Sequence, residues 1–203
     1  MSLNFVEQRN ITGHLQIAKI PKNGGQEEIV FDDHNIIVSG MGVGLSILYS
    51  LSGSDTITDF QFDRFQIGIS GAGVTETSSV FELSGPLVTA EEYAGAAGGL
   101  ITVSSTQLAN GSDKSNQVFG MIPFSHVTRI NETSVRYTIV LDEDSANNIQ
   151  RGSVDRPLNE IGLFMKNPQG RTYDTPLLVA YRKFSDITKA SDFALVFRWT
   201  INF

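Results

Sequence analysis

The chain has 203 residues, 40% of them hydrophobic and 18% charged, with a formal net charge of −7 and no cysteine. Its length buries roughly 70% of the surface that the unfolded chain exposes, enough for one large domain or two small ones. The negative balance repels phosphate backbones and anionic bilayers, no apolar run reaches the ~20 residues that span a membrane, and the lack of cysteine excludes disulfides and thiolate-bound metals. Neither nucleic acid nor membrane is therefore an expected partner. The opening Met1-Ser-Leu-Asn-Phe-Val-Glu-Gln has none of the charged and apolar regions of a secretory leader, so export by that route is not expected.

His14 to Ile20 and Glu27 to Phe31 flank Pro21-Lys-Asn-Gly-Gly, a glycine turn that predicts a hairpin. Asn35-Ile-Ile-Val follows. Beyond it, Val43, Ile47 and Leu51 fall at helical spacing behind Ser39, which predicts one short helix with Ser39 as its cap. Phe60 to Ser70 carries Phe65, Ile67 and Ile69 on one face and predicts a strand that ends in a glycine turn. Residues 71–116 are dominated by Gly, Ala, Ser and Thr, with apolar islands at Val80-Phe-Glu-Leu and Leu100-Ile-Thr-Val. Such a stretch is long for a plain loop. It reads either as an excursion of short strands or as a surface that orders only against a neighbouring subunit, and the second reading is preferred.

Regular alternation returns at Gln117 to Phe124, Ser134 to Leu141, Glu160 to Met165, Leu177 to Phe184 and Phe193 to Phe203, and the last three predict an antiparallel meander. The final segment is the clearest. Phe193, Leu195, Phe197, Trp199, Ile201 and Phe203 share one face of a strand ~36 Å long at ~3.3 Å per residue, and this row is the predicted structural core. Strands do not alternate with helices as βαβ units require, and no fixed repeat recurs. The expected fold is a single mainly β domain over 1–203, an antiparallel sandwich or barrel with one short helix and the Gly/Ser/Ala-rich excursion at 71–116.

Candidate chemistry is sparse. Asp32-Asp33-His34 holds the raw material of a metal site or general base, but neighbours on a strand point apart and His14 and His126 lie far away in sequence, so a polar turn is expected. Asp142, Asp144 and Asn148 resemble an oxygen-ligand calcium loop without its turn glycine and distal glutamate, and solvated hairpin charges are the preferred reading. Gly40-Met-Gly-Val-Gly lacks phosphate-loop spacing and predicts close backbone packing. Ser70 in Gly68-Ile-Ser-Gly-Ala-Gly does not sit in a nucleophile elbow. Thirteen phenylalanines against five tyrosines and one tryptophan favour core over sugar platforms, although Phe60, Phe62, Phe65, Phe119 and Phe124 are candidates for the latter. No catalytic, metal or cofactor residue is assigned and no enzyme is expected. Glu160 and Arg198 are expected to form a structural polar pair, with Glu160 accepting backbone or arginine hydrogen bonds, Arg182 on a strand beside that of Arg198, and Gly162 admitting a neighbouring strand or ring.

Two groups of segments carry a resemblance. His34-Asn-Ile-Ile-Val-Ser-Gly-Met-Gly with Leu45-Ser-Ile-Leu and Gly68-Ile-Ser-Gly resembles the opening of tailed-bacteriophage virion proteins. Leu158-Asn-Glu-Ile-Gly-Leu-Phe, Leu177-Leu-Val-Ala-Tyr-Arg-Lys-Phe-Ser-Asp-Ile-Thr-Lys and Asp192-Phe-Ala-Leu-Val-Phe-Arg-Trp-Thr-Ile-Asn-Phe are similar to the end of the same proteins, and are the more specific part. The resemblance covers a little over half the chain and leaves 71–116 unmatched. It implies an oligomeric β-rich building block of tail, baseplate, neck or fibre anchor, assembled in the host cytoplasm into the virion beside other virion proteins and without enzyme activity or cofactor. The alternative is a carbohydrate-binding β-sandwich that recognises a host glycan.

Overall fold

Alternating side chains decide which face of each strand is apolar, and pairing of those faces sets the architecture. The computed structural model describes residues 10–50, 56–93, 95–107, 113–166 and 176–203, with the side chains of 104–107 and 113–116 not described. In chain order the elements are β1 (Thr12–Pro21), β2 (Glu28–Ile37), the helix α1 (Ser39–Tyr49), β3 (Phe62–Gly68), β4 (Leu100–Gln107) and β5 (Asp113–Met121). There follow β6 (Val127–Arg129), β7 (Ser134–Leu141), β8 (Gln150–Arg151), β9 (Val154–Asp155), β10 (Leu158–Met165), β11 (Leu177–Ile187) and β12 (Phe193–Asn202).

Ten of these strands form one curled sheet in the order β4-β5-β3-β10-β11-β2-β1-β12-β7-β6, and β8 and β9 pair separately. Every pairing is antiparallel. The curl turns at β2. Its first part pairs with β1 from Glu28 to Asn35, whereas Ile36 and Ile37 pair with Tyr181 and Ala180 of β11. One strand thus serves two leaves of a sandwich, as strands at sandwich corners do. Leaf A is β2-β1-β12-β7-β6 and leaf B is β4-β5-β3-β10-β11.

The main core lies between the leaves. Phe197 of β12 meets Phe184 of β11 at 6.1 Å between ring centroids, and Phe62 of β3 meets Tyr137 of β7 at 5.6 Å. The other face of leaf B carries a second apolar cluster of Val38, Leu83, Val103, Phe119, Phe164, Leu178 and Tyr181, with Val74 and Val80 packed against it. The excursion supplies Val74, Val80, Leu83 and Val103. Its described residues lie on this chain's own sheet, as two paired strands and a cover. Val80-Phe-Glu-Leu forms no strand, because Leu83 reaches the cluster from an irregular segment.

The predicted core row holds in its middle and is corrected at its ends. Leu195, Phe197, Trp199 and Ile201 are fully buried. Phe193 is half-buried with the ammonium groups of Lys19 and Lys189 each 5.1 Å from its ring centre, and Phe203 lies past the last β12 residue and is 41% exposed. The meander is also corrected: β12 pairs with β1 and β7, and the β1–β2 hairpin separates it from β11. Burial outweighs sequence proximity here, because β1 offers Leu15 and Ile17, both fully buried, as neighbours for the Trp199 and Phe197 row.

Helix α1 forms where expected but without the Ser39 cap. Val38 holds the cap position with no side-chain hydrogen bond, and the Ser39 N–H donates to the Ser78 carbonyl at 2.8 Å. Its buried positions are Gly40, Met41 and Gly44, while Val43 and Ile47 are half-buried and Leu51 lies outside the described residues. Gly40 explains the packing: a Cβ there would fall 2.0 Å from the Leu178 carbonyl oxygen, so only glycine lets the helix sit on β11.

Placing a charge at Trp199 tests the row. Burial of an unpaired carboxylate exceeds the ~5–15 kcal/mol that holds a typical domain together, so Trp199→Asp is expected to yield no cooperatively folded protein by near-ultraviolet circular dichroism. A soluble variant with a native-like spectrum counts against the burial described.

Candidate functional site

The strand β10 begins with Leu158-Asn-Glu-Ile-Gly, and its polar pair grips the excursion. Asn159 and Glu160 are buried. The Asn159 Oδ1 accepts the Gly71 N–H at 2.8 Å, and its Nδ2 donates to Asp186 at 3.0 Å. The Glu160 carboxylate accepts three hydrogen bonds: from the Gly85 N–H at 2.7 Å, the Ser84 N–H at 3.0 Å and the Tyr181 hydroxyl at 2.9 Å. A carboxylate buried at 0% exposure is stable only when its lone pairs are so occupied. The anion in turn disfavours ionisation of Tyr181, whose phenol is pushed above its ordinary value mainly by burial and then by Glu160. Gly68 gives the carboxylate its space, since a Cβ there would lie 2.4 Å from Glu160 Oε1.

The predicted Glu160–Arg198 pair does not form. Arg198, on leaf A, donates to both carboxylate oxygens of Glu27, at 3.0 Å to Oε2, and to Gln16 at 3.1 Å. The Arg198 hydrogen bond holds the Glu27 carboxyl below its usual range. Arg182, on β11, is separated from Arg198 by β2 and β1 rather than beside it, and pairs with Glu76 at 3.1 Å and with Asp33. Glu160 takes backbone donors instead, because the excursion brings two N–H groups to it that have no strand partner. Gly162 does admit close neighbours: a Cβ there would fall 2.6 Å from Leu83 and Leu178.

The remaining candidates resolve as packing and surface. Asp32-Asp33-His34 lies in β2, not in a turn, with alternate side chains diverging. Asp32 meets His14 at 2.7 Å and Gln16 at 3.0 Å, whereas Asp33 turns to Arg182. The fold does bring His14 and His34 together, 5.7 Å apart edge-on, across the β1–β2 pair. Among the described residues no group of three His, Asp or Glu is placed to hold a metal ion. In the acidic tract, Asp142 Oδ1 accepts from the Asp144 N–H at 2.9 Å and the Ser145 hydroxyl at 3.2 Å. Phe60, Phe62, Phe65 and Phe119 are core, and Phe124 is not.

Phe124 marks the feature that residue patterns missed. A recess of about 510 Å³ opens between Leu45 and Leu48 of α1, the ends of β3 and β10 and Tyr137 in the middle of β7. Its floor includes Phe62, Tyr137 and Met165, and its rim carries Phe124 at 85% exposure, Ile57 at 72% and the partly exposed Phe203. Gln61, Asp63 and Tyr137 are its polar members. Burial pushes the Tyr137 phenol above its ordinary value, and burial raises Asp63 despite the Arg64 guanidinium 3.0 Å away. An apolar recess with a few convergent polar groups and a perturbed carboxyl is the usual form of a binding surface.

Both features give measurable expectations. Glu160→Gln removes one acceptor from a site with three donors, so it is expected to lower stability by about 1–3 kcal/mol in urea unfolding and to speed hydrogen exchange at the Ser84 and Gly85 amides. Unchanged exchange at those amides counts against the grip. The folded-state Asp63 sits above its ordinary 3.8, so its ionisation opposes folding at neutral pH and that opposition fades as pH falls through the raised value. Asp63→Asn is expected to be more stable than the parent at neutral pH and equal to it below 3.8. A gap that persists in acid contradicts the assignment.

The chain matches no family model, no curated protein and no solved structure.

Proposed function

We propose that the chain is a structural component of a tailed bacteriophage particle, in the tail, baseplate, neck or fibre anchor, that oligomerises and joins neighbouring virion proteins through its apolar mouth. The carrying observation is that mouth: Phe124, Ile57 and Phe203 stand in solvent around an apolar recess. Exposed apolar surface gathered at one place is characteristic of surfaces that bury against other proteins, whereas isolated apolar residues are ordinary.

Most of the resembling segments lend support because they pack as one unit, which leaves out only β12, paired with β1 and β7. β10 pairs with β3 and β11, β11 pairs with β2, the Val38 N–H donates to the Val179 carbonyl at 3.1 Å, and Asn159 holds Gly71. The segments on β2, β3, β10 and β11 are thus joined by hydrogen bonds. The glycan-binding alternative has the same recess as its basis, with Gln61, Asp63 and Tyr137 as hydrogen-bonding groups. Against it, the single tryptophan, the side chain best suited to a sugar face, is fully buried as Trp199.

Light scattering coupled to size exclusion separates the two. The parent chain is expected to form a ring or other closed oligomer, and Phe124→Asp, at a position too exposed to affect folding, is expected to run as a folded 22.2 kDa monomer. A parent chain that is monomeric at high concentration and retained on a glycan array overturns the assembly reading.

A further inference from the structure

Lys189 is an unusual lysine. It is 2% exposed, in the loop between β11 and β12, where a solvated ammonium would be the ordinary outcome. Its Nζ donates to Asn147 Oδ1 at 2.9 Å and to the Ala190 carbonyl at 2.9 Å, both neutral acceptors, and lies 5.1 Å from the centre of the Phe193 ring. Asn147 belongs to the loop after β7. Its Nδ2 donates to the Glu143 carbonyl, so the carboxamide is gripped at both ends.

The backbone is strained to present that group. Ala146 and Asn148, on either side of Asn147, have φ of 54° and 46°, in the left-handed region that costs an alanine roughly 1 kcal/mol or more. Two hydrogen bonds hold the strain in place: Ala146 N–H to the Glu92 carbonyl at 2.9 Å, and Asn148 N–H to the carbonyl of Lys189 itself at 2.8 Å. The two loops are therefore fixed to each other, with an amine against a carboxamide.

We propose that Lys189 and Asn147 form an intramolecular amide cross-link, Lys189 Nζ displacing ammonia from the Asn147 side chain. The ammonium first yields its proton to a carboxylate. Burial favours that step by lowering the Lys189 pKa, against the opposing charges of Asp142, Glu143, Asp192 and Asp144, of which Asp142 acts most strongly. The neutral amine attacks Asn147 Cγ, the Nζ–Cγ bond forms, and the Cγ–Nδ2 bond breaks as the proton first given up returns to the leaving nitrogen, which becomes ammonia. Ammonia takes the remaining proton from Nζ and departs as ammonium, so the carboxylate ends as it began and no oxidant or cofactor is consumed. The bond would close a loop across 42 positions in a chain that has no cysteine to do so.

Intact mass measured under denaturing conditions is the test. The parent protein is expected to be lighter than its sequence mass by one ammonia, and proteolysis is expected to give a branched peptide that joins Lys189 to Asn147. Lys189→Arg and Asn147→Ala are each expected to restore full sequence mass. Folded parent protein that keeps its full mass after prolonged incubation at neutral pH overturns the proposal, leaving an ion–dipole contact only. Two other results overturn it as well: ammonia loss that survives Lys189→Arg, which signals a succinimide at Asn147-Asn148, and conversion of Asn147 to aspartate.

Discussion

The buried carboxylate of Glu160 is the constraint around which leaf B and its cover are organised. An anion without solvent needs donors, and the nearest ones free to serve are the Ser84 and Gly85 amides and the Tyr181 hydroxyl. Satisfying the charge therefore fixes the position of a segment 75 residues away in sequence. Once that segment is pinned, Leu83 falls on the outer face of β10, Val74 and Val80 settle beside it, and a face of the sheet that would otherwise be wet becomes a second core. Glu76 repeats the device nearby, accepting from Arg182 at 3.1 Å and from the Lys183 N–H at 2.9 Å. Acidic side chains thus act here as staples for irregular backbone, a use for carboxylates that requires no catalysis.

How much of this was legible in the sequence depends on the range of the interaction. Alternation along a strand is local, so Ser134 to Leu141 is predicted and observed with the same bounds, and the middle of the final apolar row is buried as its spacing requires. The choice of strand neighbour is not local. Nothing in Phe193 to Phe203 distinguishes β1 from β11 as a partner, and the meander expectation failed on that point. Glu160 as an acceptor of backbone hydrogen bonds was readable from its place at a strand entrance, whereas the identity of its donors was not, because an amide N–H has no side-chain signature. Arg198 was misassigned for a related reason: its partner Glu27 lies on the far side of β1, and pairing it with Glu160 assumed the wrong neighbour.

The mouth and the Lys189 contact were harder still. Recess walls come from α1, the segment before β3, the ends of β3, β5 and β10, the middle of β7 and the residue after β12, so no stretch of sequence contains more than a fragment of the pattern. Phe124 behind Pro123 was the one available hint, an apolar residue carried past the end of its strand. Lys189 stands in Asp186-Ile-Thr-Lys-Ala-Ser-Asp, which has the composition of a solvated loop. Only the left-handed residues of a different loop bring a carboxamide over it.

The pairing of β1 with β12 sets Thr12 opposite Asn202 and makes the earliest and latest described strands neighbours at the centre of leaf A. During translation the Leu15 and Ile17 face must wait, uncovered, until β12 leaves the ribosome. Contacts of such long sequence separation are slow to close, so this fold closes only once β12 has been made, and its nascent greasy edge needs protection in the interval.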